Sequence, residues 1–281
     1  MYRVALLCAA FSACAVIVIP NHAPLAAQDK KKAAPKLTLA KVGPIPDAVR
    51  TEFKLDAFYG KYTDAGGVPV IASKKVNDRA LVMAAWVVTR MTAERPDILK
   101  ELADGKQRVA VIGVMEKFTD IPEYTVLEGM AGLWDAKSRG APGSGLTLAT
   151  TTGEENLLGF PGDPWRGESH LVLVFAQTIQ ISAMGKLDEK FDGRLKDTYD
   201  AAMKKKLWEN THAAKDYRLY WSQGVQSYFD CNQPLRGAPD GAHNGVWNNA
   251  LLKKYDPALH TLIDETLKSP KWRWGQPLPA K

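Results

Sequence analysis

The one long apolar run of this chain lies at its extreme N-terminus, and that placement sets what the remaining residues must achieve. From Val4 to Ile19 sixteen residues pass without a charge, fewer than the roughly 20 that a membrane-spanning helix needs. Arg3 precedes the run, and a polar turn with Pro-Leu-Ala-Ala at 24–27 follows it. This is the pattern of a secretory signal peptide over 1–27, cleaved after Ala27. A lipid anchor at Cys14 is the alternative, disfavoured because the apolar run continues past that cysteine. With no second run of this kind downstream, the rest of the chain is expected to be an exported, secreted or periplasmic, folded body without a membrane span.

Nothing covalent holds that body together. Cys8 and Cys14 belong to the leader and Cys231 stands alone, so no intrachain disulfide forms and the fold must come from its core. A chain that is 46% hydrophobic and 24% charged has the material for one large domain or two small ones. Cys231 has no neighbouring base and follows a helix end, where the dipole disfavours a thiolate, so packing is the expected role. The net charge of +6 is misleading. Without Arg3 and the lysine-rich stretch Gln28–Lys41, residues 42–281 carry +1, which argues against nucleic acid as a partner.

Residues 28–45, rich in Lys, Ala and Pro, read as a tail or linker, and the body as 46–281. Its N-terminal half, about 46–150, mixes strand and helix signals. Val68–Ala72 reads as an edge strand because it contains Pro69. Asn77 is placed to cap a helix through Arg90, a second helix runs from Pro96 towards Gly105, and Arg108–Val114 is the clearest strand. The C-terminal half, about 151–268, is helical. Phe191, Leu195, Tyr199, Ala202 and Met203 recur at helical spacing, further helices are expected over 213–228 and from Asp256-Pro257, and a loop over 231–245. The stretch His170–Met184 is ambiguous: Leu171–Phe175 carries strand propensity, and propensity alone makes it a strand, while its length and Ala176, Ala183 and Met184 suit a buried helix.

One segment carries a family resemblance: Gly153-Glu154-Glu155-Asn156-Leu157-Leu158-Gly159-Phe160-Pro161-Gly162-Asp163-Pro164, then Gly167-Glu168-Ser169 and Leu173-Val174-Phe175-Ala176-Gln177, joined by Tyr220-Trp221-Ser222-Gln223-Gly224-Val225-Gln226-Ser227. It resembles secreted zincin metallopeptidases of the gluzincin, lethal-factor-like type. There a helix bears His-Glu-Phe-Ala-His and a later helix supplies a glutamate in Tyr-Trp-x-Glu-Gly-Val-Gln-Ser. The likeness spans about 150–265, including Phe191-Asp192-x-Arg194-Leu195 and Tyr255-Asp256-Pro257-Ala258-Leu259. It implies an α+β zincin-like fold, a small sheet with helices packed on a helical C-terminal half.

The same alignment implies a lost metal site. Two histidines four apart on one helical face hold zinc, the glutamate after the first activates water, and an acidic third ligand completes the set. The resemblance places these on Leu173, Val174, Gln177 and Gln223. Leucine offers no lone pair and valine no base, while a neutral amide is a poor zinc ligand, so neither metal nor other cofactor is expected. The implied function is a non-catalytic pseudoenzyme that binds a peptide or protein in the former substrate cleft. Alternatives are a hydrolase using metal-independent chemistry, or a glycan-binding module using exposed Trp165, Trp272 or Trp274. The Gln177 and Gln223 amides are expected to approach within hydrogen-bonding or one-water distance, with Leu173 and Val174 filling part of the vacated space. His170, His212, Asp216, Asp230 and His243 lack ligand spacing. His170 and His212 are expected to be solvated or hydrogen-bonded. Glu154-Glu155, read as extended, should point opposite ways, and Ser169-His170 fails the geometry of a nucleophile and base.

Overall fold

A computed structural model describes residues 41–235 and 240–275. The leader and most of the 28–45 tail lie outside them. The first tight element is a hairpin. Strands β1 (Lys61–Ala65) and β2 (Val68–Ala72) pair antiparallel around Gly66-Gly67, whose φ values of 71° and 95° suit the two-residue turn that matches strand twist. Both Asp64 carboxylate oxygens accept from the two glycine N–H groups. Strands β3 (Arg108–Ile112) and β4 (Ala149–Gly153) extend the sheet in parallel, in the order β1-β2-β3-β4.

The expectation of an edge position for β2 is therefore corrected: it is internal. Pro69 is tolerated for a local reason. The pair closing a two-residue hairpin is hydrogen-bonded and the next, Asp64–Pro69, is not, so the proline nitrogen points away from β1. On the β3 side the ladder starts only at Val70, where no proline donor is missed.

The helices are α1 (Asp47–Glu52), α2 (Asp78–Met91), α3 (Pro96–Asp104), α4 (Ala131–Lys137), α5 (Glu154–Leu158), α6 (His170–Ile179), α7 (Gly185–Leu187), α8 (Phe191–Lys204), α9 (Tyr217–Tyr228), α10 (Asn249–Tyr255) and α11 (Pro257–Leu267). The chain is thus a mixed α/β protein with a small four-stranded sheet. Asn77 caps α2 through Arg79 N–H, and Asp256 caps α11 with Pro257 in its first turn. Alternation along the strands divides the core in two. Val70, Val109 and Val111 join α2, α6, α9 and α11 on one face. Ile71, Ala110 and Ile112 pack on the other with Phe53, Phe118 and Tyr124.

The stretch 170–184 is helical, not a strand: α6 continues into a π-turn at Gln180–Met184. Two facts override propensity. Ser169 Oγ accepts Val172 N–H and Asn156 Oδ1 accepts His170 N–H, starting a helix. The β4 edge, where another strand would pair, is already taken by the segment 140–143. Thr151 N–H donates to Ala141 O at 2.9 Å, Ala141 N–H to Thr151 Oγ1 at 2.8 Å, and Gly143 N–H to Thr178 Oγ1 of α6 at 2.9 Å. A helix apolar on nearly every side then buries itself against β4, α2 and α9. Among the described residues no helix is long and apolar enough to cross a membrane.

Candidate functional site

Helix α6 is ten residues long and eight are buried; Leu173 and Gln177 are not. Spaced four apart, they share one stripe, and these are the two positions that the resemblance aligns with histidine ligands. Val174 is turned inward and buried. Helix α9 packs across α6, fixed by Trp221 Nε1–H donating to Ala176 O at 2.9 Å. That contact brings Gln177 beside Ser222, the neighbour in sequence of the buried Gln223.

The two glutamines do not bond each other directly; each finds another partner. Gln177 Nε2 donates to Ser222 Oγ at 3.0 Å, and that hydroxyl donates to Leu219 O. Gln223 Oε1 accepts from Asn232 Nδ2 at 3.2 Å; the same Asn232 amide donates to Ser227 Oγ. A hydroxyl one residue away and an asparagine nine residues on were simply better placed. Among the described residues each amide keeps one group without a partner: the Gln177 carbonyl oxygen and the Gln223 amide nitrogen. Leu173, Val174, Gln177 and Gln223 do not fit a zinc ion, since none presents an anionic or imidazole donor. Among the described residues no group of three or more His, Cys, Asp or Glu is placed to hold a metal.

The charged groups near this helix pair lie in the loops leading into α6 and out of α9. His243 Nδ1 faces Asp240 at 3.0 Å and Nε2 faces Glu168 at 3.3 Å, with His243 and Glu168 both buried. The Glu168 bond, then Asp240, holds the imidazole protonated, up to about 9, against the opposing effect of burial. With both ring nitrogens facing carboxylates, protonated His243 has no free lone pair to act as a base near neutral pH. His212 is half-buried, its ring centroid 6.5 Å from that of His243, and burial lowers its pKa. Asp216 caps α9 and Asp230 accepts Asn249 N–H. Gln226 Nε2 donates to Ser169 O at 2.9 Å and Cys231 Sγ to Gln226 O. Burial pushes the Cys231 thiol well up, so it is inert.

His170 is neither solvated nor hydrogen-bonded through Nδ1, as expected of it, but buried and stacked on Trp165 at 5.1 Å, and desolvation lowers its pKa to about 4. Ser169 caps α6 and is not aligned with it. Glu154 and Glu155 open α5 and are not extended. Glu154 accepts Asn77 and Val114 N–H, while Glu155 takes Arg139 bidentately at 2.6 and 2.8 Å. Arg139 also donates to Glu116 O and Gly113 O, tying the ends of β3 and β4. Trp272 is buried and Trp165 and Trp274 are half-buried, so an exposed tryptophan platform is absent at these three positions. Arg139, Asn232 and the Glu168–His243 pair were not singled out from sequence; Glu168 lay inside the quoted motif, whereas Arg139 had no local signal. Comparisons with protein-family models, curated proteins and solved structures find no match to the chain.

Proposed function

We propose that this chain is an exported, zinc-free relative of the zincin metallopeptidases that binds an extended peptide or protein segment across the α6–α9 face. The supporting observation is the open stripe. On a helix otherwise buried, Leu173 and Gln177 alone are not fully buried, and on the packed α9 the Gln223 amide is oriented by Asn232. The unpaired Gln177 carbonyl and Gln223 N–H supply one acceptor and one donor, the two groups that a peptide unit complements. Leu173 adds apolar surface for a side chain. Hydrolysis has no support at these positions, because no side chain there activates water.

The test uses purified mature protein. Metal analysis by mass spectrometry is expected to give far less than one zinc per chain, and a fluorogenic peptide panel no cleavage sensitive to chelator. Peptides selected from a random display library are expected to bind wild type and to lose about tenfold or more affinity on Leu173→Arg or Gln177→Ala, with melting temperature retained. Stoichiometric zinc, or peptides that bind both variants as tightly as wild type, overturns the reading.

A further inference from the structure

Beyond the carboxyl ends of β3 and β4 lie two adjoining cavities, and none of their lining residues belongs to α6 or α9. The larger, about 320 Å³, is walled by Val114, Phe160 and Pro164 and by the polar Asp135, Arg139 and Glu155. The smaller, about 200 Å³, is lined by Met83, Leu157 and Leu158 with Asn77 and Arg79. Phe160 lines both and stands between them. Open α/β sheets commonly take ligands at this end of their parallel strands.

The charges of the two chambers are opposite and unequally matched. In the larger one Glu155 is neutralised by its bidentate Arg139, but among the described residues Asp135 meets only the neutral N–H and hydroxyl of Thr119 and no cationic partner. In the smaller one the Arg79 guanidinium makes no side-chain hydrogen bond or ion pair with any described residue, while its neighbour Asp78 is taken by Lys61. Arg79 also sits in the first turn of α2, the helix end where a cation is disfavoured. Neither free charge serves its own element.

We propose that the paired cavities bind a short peptide with free termini, its ammonium against Asp135, its carboxylate against Arg79 and an apolar side chain on Phe160. The carboxylate meets a planar guanidinium able to bond it bidentately. The ammonium meets the uncompensated carboxylate. A ligand that meets both charges has to pass Phe160, which lines both cavities, and an extended peptide gains about 3.3–3.6 Å of reach per residue, so a short peptide rather than a single amino acid is the proposed occupant. This site does not depend on the α6–α9 reading.

Isothermal titration of the full mature protein with the tripeptide Ala-Leu-Ala tests it, beside the N-acetylated peptide, the C-amidated peptide and free leucine. The unblocked tripeptide is expected to bind, and either block, or leucine alone, to weaken binding about tenfold or more. Arg79→Ala is expected to weaken the unblocked peptide to the level of the amidated one and to leave the amidated one unaffected. Asp135→Asn is expected to do the same for the acetylated form. Leu173→Arg should leave every titration unchanged, which separates this site from the α6–α9 face. No heat at millimolar peptide, equal affinity for the blocked forms, or an Arg79→Ala protein that binds like wild type overturns the proposal. Arg79 is exposed and unpaired, so its variant retains the fold even if Asp135→Asn does not.

Discussion

At the scale of single residues, Asp256 carries more of the C-terminal half than its place in a helix cap suggests. Besides accepting Leu259 N–H, its carboxylate receives Trp208 Nε1–H at 2.9 Å and the Tyr220 hydroxyl at 2.6 Å, all in the interior. The carboxylate and its surrounding burial push the Tyr220 phenol well up, so it stays a donor at any working pH. Asp256→Ala strands two buried donors, at about 1–3 kcal/mol each, and removes a cap worth about 1 kcal/mol. Urea unfolding should show a loss of roughly 3 kcal/mol or more; a loss below about 1 kcal/mol would show that the indole and phenol have other acceptors. Sequence reveals the cap, because Asp-Pro at a helix start is a local signal. The two aromatic donors arrive from 48 and 36 positions away, and no spacing announces them.

At the scale of elements, two helical glycines of similar appearance have opposite meanings. A β-carbon on Gly224 of α9 would stand 2.5 Å from Leu259 Cδ2 and 2.9 Å from its Cγ, inside fully buried α11 packing, whereas one on Gly193 of α8 meets nothing within 4 Å. Gly224→Ala is expected to destabilise by about 1–3 kcal/mol through overpacking. Gly193→Ala should stabilise by up to about 1 kcal/mol through helix propensity. Thermal melts of both variants decide it; equal signs would mean that α9 and α11 can separate freely. Elements were legible where their pattern was amphipathic, as in α2, α8 and α11. Strands β1 and β4 passed unread, since Lys-Tyr-Thr-Asp-Ala and Ala-Thr-Thr-Thr-Gly lack apolar alternation. Helix α6 was misread by propensity because a segment buried on all sides has no period to report. The length of the stretch, with Ala176, Ala183 and Met184, and the resemblance were the indications of its helical form.

For the whole molecule, two histidines bend stability in opposite directions with pH. His170 falls from 6.5 to about 4 on burial, so its contribution is complete above about pH 6.5 and is lost as pH drops towards 4. His243 rises from 6.5 to about 9 on pairing with Glu168 and Asp240, so its contribution is complete below about 6.5 and is lost as pH climbs through 9. Melting temperature is therefore expected to be highest near pH 6.5. His243→Gln should flatten the alkaline limb and leave the acid limb in place. A wild-type profile level from pH 6.5 to 9.5 would exclude the ionic latch. The latch joins positions 75 apart in the chain, which is why it was invisible beforehand, as was the choice of Ser222 and Asn232 as partners for the two glutamines. The segment 140–143 has a wider effect. By taking the Thr151 N–H and the Thr150 and Thr151 hydroxyls of β4, it obstructs the simplest mode of attachment there, joining the ladder as one more strand. Any ligand lying along that stretch of β4 would have to be recognised by side chains in place of a continued backbone ladder.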